Sequence, residues 1–149
     1  MSSFTEPLVL QPIPRAVDRW GNPIYETTRD FSYHRSDHSK SYFVPWGSRT
    51  NLATVPRGFR WLFPEICKLD GRAVQCAVLH DHLVSEFSNK TPPVERSEAH
   101  EVFLESMLVM GMPRCKIPLI KVGLKIGDIY YHLSPKYASI RAERKRRRR

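Results

Sequence analysis

The sequence predicts an α+β fold, with a small N-terminal β/loop region packed on two or three antiparallel helices. Three observations predict it. Pro7, Pro12, Pro14, Pro23, Pro45, Pro56 and Pro64 forbid long helices over residues 1–66. Beyond residue 70 the apolar spacing changes to the three-and-four repeat of a helix. The chain has 149 residues, 41% of them hydrophobic, which suits one domain with a real core and excludes wholesale disorder.

In chain order, residues 8–13 form the first short strand candidate. Trp20, Gly21, Asn22 and Pro23 make a turn, and residues 24–28 alternate as a strand after it. Residues 31–33 and 41–45 are further β runs, separated by a polar loop over 34–40. His34 and His38 in that loop have a metal-pair spacing only on a helix, which this segment is not. Asp70 is placed to cap a helix carrying Ala73, Cys76, Ala77, Leu83, Val84 and Phe87 at helical spacing, and the run ends over 88–91. Pro92 and Pro93 are expected to open a second helix. Its stripe is Ala99, Val102, Phe103, Ser106, Met107 and Met110, with Gly111 closing it. A third segment over 117–132 is expected to be helical but less regular, because Gly123 and Gly127 interrupt it.

The charge is uneven. Net charge is +9, yet Arg141, Arg144, Lys145, Arg146, Arg147, Arg148 and Arg149, with one Glu among them, supply +6 of it. Such a block seeks phosphate, on nucleic acid or on anionic lipid, and is otherwise a solvated extension. Three cysteines, Cys67, Cys76 and Cys115, are too few for a disulfide scaffold and suggest reduced thiols. No apolar run approaches the ~18 residues of a membrane span. The first residues lack the basic and apolar regions of a secretory signal.

The informative position is His80, which shares a helix face with Ala73, Cys76, Ala77, Val84 and Phe87 and so points at the core or at a neighbouring helix. Asp81 lies ~100° further round. A short link returns the second helix, so that His80 and His100 are able to meet across the pair. Three readings stand. His80 is a general base with Asp81 holding a cation. Cys76, His80 and His100 bind zinc. Or His80 is a satisfied core histidine and Asp81 a surface or capping carboxylate. Residues 50–57 form a loop rich in oxygen donors, suited to a hard cation or to an ordinary turn. Residues 59–64 are an aromatic patch that fills a core or docks on a partner.

Several stretches together resemble a family of short, mostly phage and prophage proteins, the domain-of-unknown-function family 1353. They are Phe43 to Gly47, Thr50 to Arg57, Trp61 to Pro64, Ala77 to Asp81, and Ser97 to Met107 with Gly111. The resemblance covers residues 43–128. It implies an N-terminal strand/loop arm over 1–42, a family core domain over 43–133 and a basic C-terminal tail over 134–149. The family is similar in layout to phospholipase A2, with a phospholipase A2-like helical pair. By that analogy His80 is the base, Asp81 and Asn51 hold Ca2+, and the position of His100 orients His80. The sequence departs from the pattern where it matters. Asn51 stands in place of an Asp and loses charge at a calcium site. His100 also stands in place of an Asp and cannot supply a carboxylate to the His80 ring. Val84 stands where an aromatic is frequent.

The resemblance and the departures together imply a bacteriophage structural or accessory protein, a virion head, neck or tail component on a hydrolase-like scaffold with an eroded His-Asp site. The alternatives are a calcium-dependent phospholipase-like ester hydrolase and a DNA-binding phage regulator. The expected partners are other phage structural proteins and DNA through the tail, ahead of an anionic membrane surface. The expected location is the host cytoplasm during synthesis and the virion afterwards.

Overall fold

Backbone pairing organises the proline-rich half into two three-stranded antiparallel sheets. A computed structural model describes residues 2–18, 21–35, 40–52, 73–85, 93–134 and 138. The strands are β1 (Ser3–Phe4), β2 (Leu10–Val17), β3 (Pro23–Thr27), β4 (Phe31–His34), β5 (Ser41–Val44) and β6 (Arg49–Thr50). Their order is β1-β4-β5 in one sheet and β2-β3-β6 in the other. The long runs follow the expected segments within a few residues. The two-residue strands β1 and β6 were not anticipated, because two residues show no alternation.

Pro12 and Pro14 are tolerated because β2 is an edge strand, where a missing N–H leaves no ladder bond unmade. Pairing with β3 shifts register between Pro12 and Val17, and Arg15 within that stretch has φ +60°. In the other sheet Phe31 faces Val44 and Tyr33 faces Tyr42 across β4 and β5. All four are buried, so this pair of strands presents one apolar face.

Three helices follow, α1 (Val74–Leu83), α2 (Arg96–Val109) and α3 (Ile117–Leu133), the last preceded by a 3-10 turn over Arg114–Lys116. Every residue of α1 except His80 and His82 is buried, which makes it the central element. Val78, Leu79 and Leu83 pack with Phe31, Tyr33, Tyr42, Val44 and Val102, joining α1 and α2 to the sheet. Ala73, Cys76 and Ala77 pack with Phe103, Met107, Met112 and Ile120, joining all three helices. The stripe expected on α2 is the buried one, and Gly111 at φ +79° ends that helix, a conformation that suits glycine.

Three expectations need correction. α1 ends at Leu83 with Val84 as its C-cap and Ser85 at φ +54°, short of the helical run expected through Phe87. α2 begins at Arg96, not at the proline pair, since Glu95 is extended and Val94 packs against the core. α3 runs unbroken through Gly123 and Gly127, because packing of Ile120 and Tyr131 outweighs a propensity cost of ~1 kcal/mol per glycine. The Asp70 cap lies outside the described residues. Among the described residues no helix is long and apolar enough to cross a membrane.

Polar ties fasten the N-terminal strands to α2. The Glu105 carboxylate accepts from Ser2 Oγ at 2.6 Å, Tyr33 OH at 3.1 Å and Arg35 Nε at 3.0 Å. Glu98 accepts from Lys40 Nζ at 2.7 Å and Tyr42 OH at 2.8 Å. β5 crosses residue 43 and β6 follows it, so each sheet joins residues from before and after that position.

Candidate functional site

The last turns of α1 carry His80 and Asp81 to different neighbours, as a rotation of ~100° per residue requires. His80 faces α2. Its ring centroid is 5.2 Å from that of His100, with the rings inclined by 28°, and 4.7 Å from that of Phe103. The Nε2 atoms of His80 and His100 are buried and have no hydrogen-bond partner among the described residues. Burial is the first cause that pushes His80 down to about 3, with His100 and Arg96 adding to it. His80 is therefore a neutral imidazole at neutral pH. The two rings meet face to face, and a proton moves along a hydrogen bond in the ring plane, so the stack is not a relay.

Behind His100 stands a carboxylate that the sequence reading did not find. Asp128 on α3 places Oδ2 3.4 Å from His100 Nδ1 and accepts from Arg96 Nε at 2.8 Å through Oδ1. The Arg96 guanidinium lies 4.3 Å from the centroid of the Tyr131 ring. Burial lowers the His100 pKa, Asp128 opposes that shift and Arg96 adds to it. Asp128→Asn is expected to lower the His100 pKa further, because the one raising influence is removed. An NMR titration of the imidazole resonances checks this, and an unmoved His100 refutes the contact.

Asp81 faces the sheet. Thr50 Oγ1 on β6 donates to Asp81 Oδ2 at 2.6 Å and accepts from the Leu52 N–H at 2.8 Å. Asp81 is 8% exposed and Thr50 fully buried. Asn51, the other residue expected at a cation site, turns its Nδ2 to Asp18 Oδ2 at 2.8 Å. Asp18 also accepts from the backbone N–H and Nδ2 of Asn22. The Ser48 hydroxyl lies 3.3 Å from His82 Nδ1. Asp81 Oδ2 and Asn51 Nδ2 thus each have a protein partner, on different sides of β6.

Cys76 does not join His80 and His100. Its thiol, pushed up to about 12 chiefly by burial, lies against Ser106. Among the described residues no group of three or more His, Cys, Asp and Glu side chains is placed to hold a metal. His34 of the loop pair contacts Ser41 Oγ at 2.6 Å, and His38 lies outside the described residues. So do residues 53–64, with the rest of the oxygen-rich loop and the aromatic patch, and the basic residues Arg141, Arg144, Lys145, Arg146, Arg147, Arg148 and Arg149.

The structure therefore brings His80 and His100 together and, about a quarter-turn round α1, sets Asp81 against Thr50. Asp128 gave no local signal, standing 28 positions from His100 as an isolated acid in an apolar segment. Thr50 was visible only as one oxygen donor in a loop.

A family described as protein of unknown function, DUF1353, matches residues 25–120. The match begins earlier, and ends earlier, than the resemblance read over 43–128. No curated protein and no solved structure matches the chain.

Proposed function

The chain belongs to the DUF1353 family, and from that premise we propose that it is a bacteriophage structural or accessory protein whose His-Asp site has lost its chemistry. The scaffold is read as hydrolase-like. In support, α1 and α2 run against each other, with His80 meeting His100 and Cys76 meeting Ser106, a layout similar to the helical pair of phospholipase A2. One observation carries the reading: His80 Nε2 is buried and Asp81 is bonded within the protein. The His80 Nε2 is sealed against α2, and the Asp81 carboxylate is bound by Thr50. A general base must reach the proton that it takes and hold a pKa near the working pH. With burial pushing its pKa down to about 3 and its Nε2 buried, His80 is a weak base.

In this reading the chain acts by docking in a virion head, neck or tail. Residues 141–149 add charge for packaged DNA. The test is twofold. The purified protein is expected to give no calcium-dependent hydrolysis of a fluorogenic phospholipid, and millimolar calcium is expected to leave its Tm unchanged. The chain is expected among the proteins of purified phage particles. Calcium-dependent turnover that His80→Ala abolishes overturns the proposal.

The second reading is a cation-dependent ester hydrolase, and Asp128 is the observation that favours it. It sets a carboxylate beside His100, so that negative charge stands on the α2 side of His80.

A further inference from the structure

We propose that the outer face of α3 is a docking surface for an anionic lipid bilayer. The helix has two apolar faces. Ile120, Leu124 and Tyr131 look inward and pack against the body. Opposite them, Leu119, Val122, Ile126, Ile129, Tyr130 and Leu133 fall within an arc of about 100° at ~100° per residue. These six are 38–77% exposed. Together they form one contiguous exposed apolar face, the kind of surface that marks an interaction site.

Charge and composition select the occupant. The exposed basic residues of α3 are Lys121, Lys125 and His132, all on the edge beside Ile129. Its one acid, Asp128, is engaged by Arg96 and His100. The patch therefore has one basic edge and calls for an anionic counterpart. A second copy does not meet that need, since it carries the same net charge of +9. Antiparallel pairing about a two-fold axis sets Lys121 and Lys125 of both copies along one edge. A protein interface is enriched in aromatic, Met and Arg residues and depleted in Lys. This face is five aliphatic side chains and one tyrosine, bordered by lysines. That composition matches a helix lying in a bilayer interface, where aliphatic residues enter the acyl boundary and lysine stems reach up to the headgroups.

The test is sedimentation of the full chain with vesicles of phosphatidylglycerol and phosphatidylcholine, beside pure phosphatidylcholine. The wild type is expected to bind the mixed vesicles at about 0.15 M NaCl and to keep a measurable part of that binding at about 0.5 M, because apolar insertion is not screened. Ile126→Glu places a charge on an exposed position, so the fold is retained, which circular dichroism checks. It is expected to lower binding about tenfold and to make the remainder fully salt-labile, leaving what the basic C-terminal residues provide. Three results overturn the proposal: binding of Ile126→Glu equal to wild type, wild-type binding abolished by the higher salt, or a wild-type dimer in analytical ultracentrifugation that Ile126→Glu disperses. The last assigns the face to protein contact. None of these readouts depends on whether the His80 site is catalytic.

Discussion

Thr50→Val is expected to destabilise the fold by roughly 2–4 kcal/mol, since each buried polar group left without its partner costs ~1–3 kcal/mol. Valine reproduces the shape of threonine but neither donates nor accepts. Two groups then lose a partner at once: the Leu52 N–H, bonded at 2.8 Å, and the Asp81 carboxylate, bonded at 2.6 Å. Neither is compensated by water, because Thr50 is fully buried and Asp81 nearly so. Urea denaturation is the measurement, with an unchanged m value showing that the denatured state is the same. Thr50→Ser keeps the hydroxyl and is expected to lose only about 1 kcal/mol, for the missing methyl group. A valine variant as stable as wild type contradicts the commitment of Asp81 to β6, and with it the reading of Asp81 as a structural carboxylate.

Between pH 7 and pH 5 the wild-type chain is expected to lose about 2 kcal/mol of stability through His80 alone. The sign follows from proton counting. In the unfolded chain the imidazole titrates near 6.5, and in the fold burial lowers it to about 3. Across that window the unfolded state binds the extra proton and the folded state does not. The contribution of His80 is therefore complete above 6.5 and is lost progressively as the pH falls toward 3. His82 and His100, both lowered by burial, act in the same direction. The chosen window lies above the carboxylate range, which isolates the histidines. A fall in Tm of roughly 4–8 °C is expected for a chain of this size. In His80→Leu that part of the slope disappears, and equal slopes in the two proteins contradict the burial of the imidazole.

The sequence discloses some of this through periodicity. The Ala99, Val102, Phe103, Ser106 and Met107 stripe is legible because α2 has one wet side. The β4–β5 pair is legible because Phe31, Tyr33, Tyr42 and Val44 alternate with exposed or partly exposed residues. His80 and His100 are legible as a meeting for the same reason: two helices joined by a short link fold back on each other. Other features leave no such trace. α1 is buried nearly all round, so its pattern locates a helix but not which residues face which neighbour. The spacing leaves Asp81 open as a cation ligand or as a surface or capping carboxylate, and the Thr50 hydroxyl that bonds it is a tertiary partner with no local signal. Asp128 reaches His100 from a third helix, a tertiary contact that no local spacing encodes. α3 is apolar on two faces, and its sequence alone does not reveal which of them is left outside.

The carboxylate of Glu105 has a consequence for synthesis. Ser2, Tyr33 and Arg35 all wait for a group that the ribosome adds 70 or more residues after Arg35 or 103 after Ser2. At ~5–20 residues per second that interval is several seconds, against microseconds for a hairpin to close. The β4–β5 hairpin is thus free to form early, with its tyrosines and its apolar face open to the surroundings, long before α1 and α2 exist to cover them. Its exposure to wrong partners is set by translation speed, and slowing elongation between residues 45 and 105 lengthens the period in which a nascent chain must be shielded.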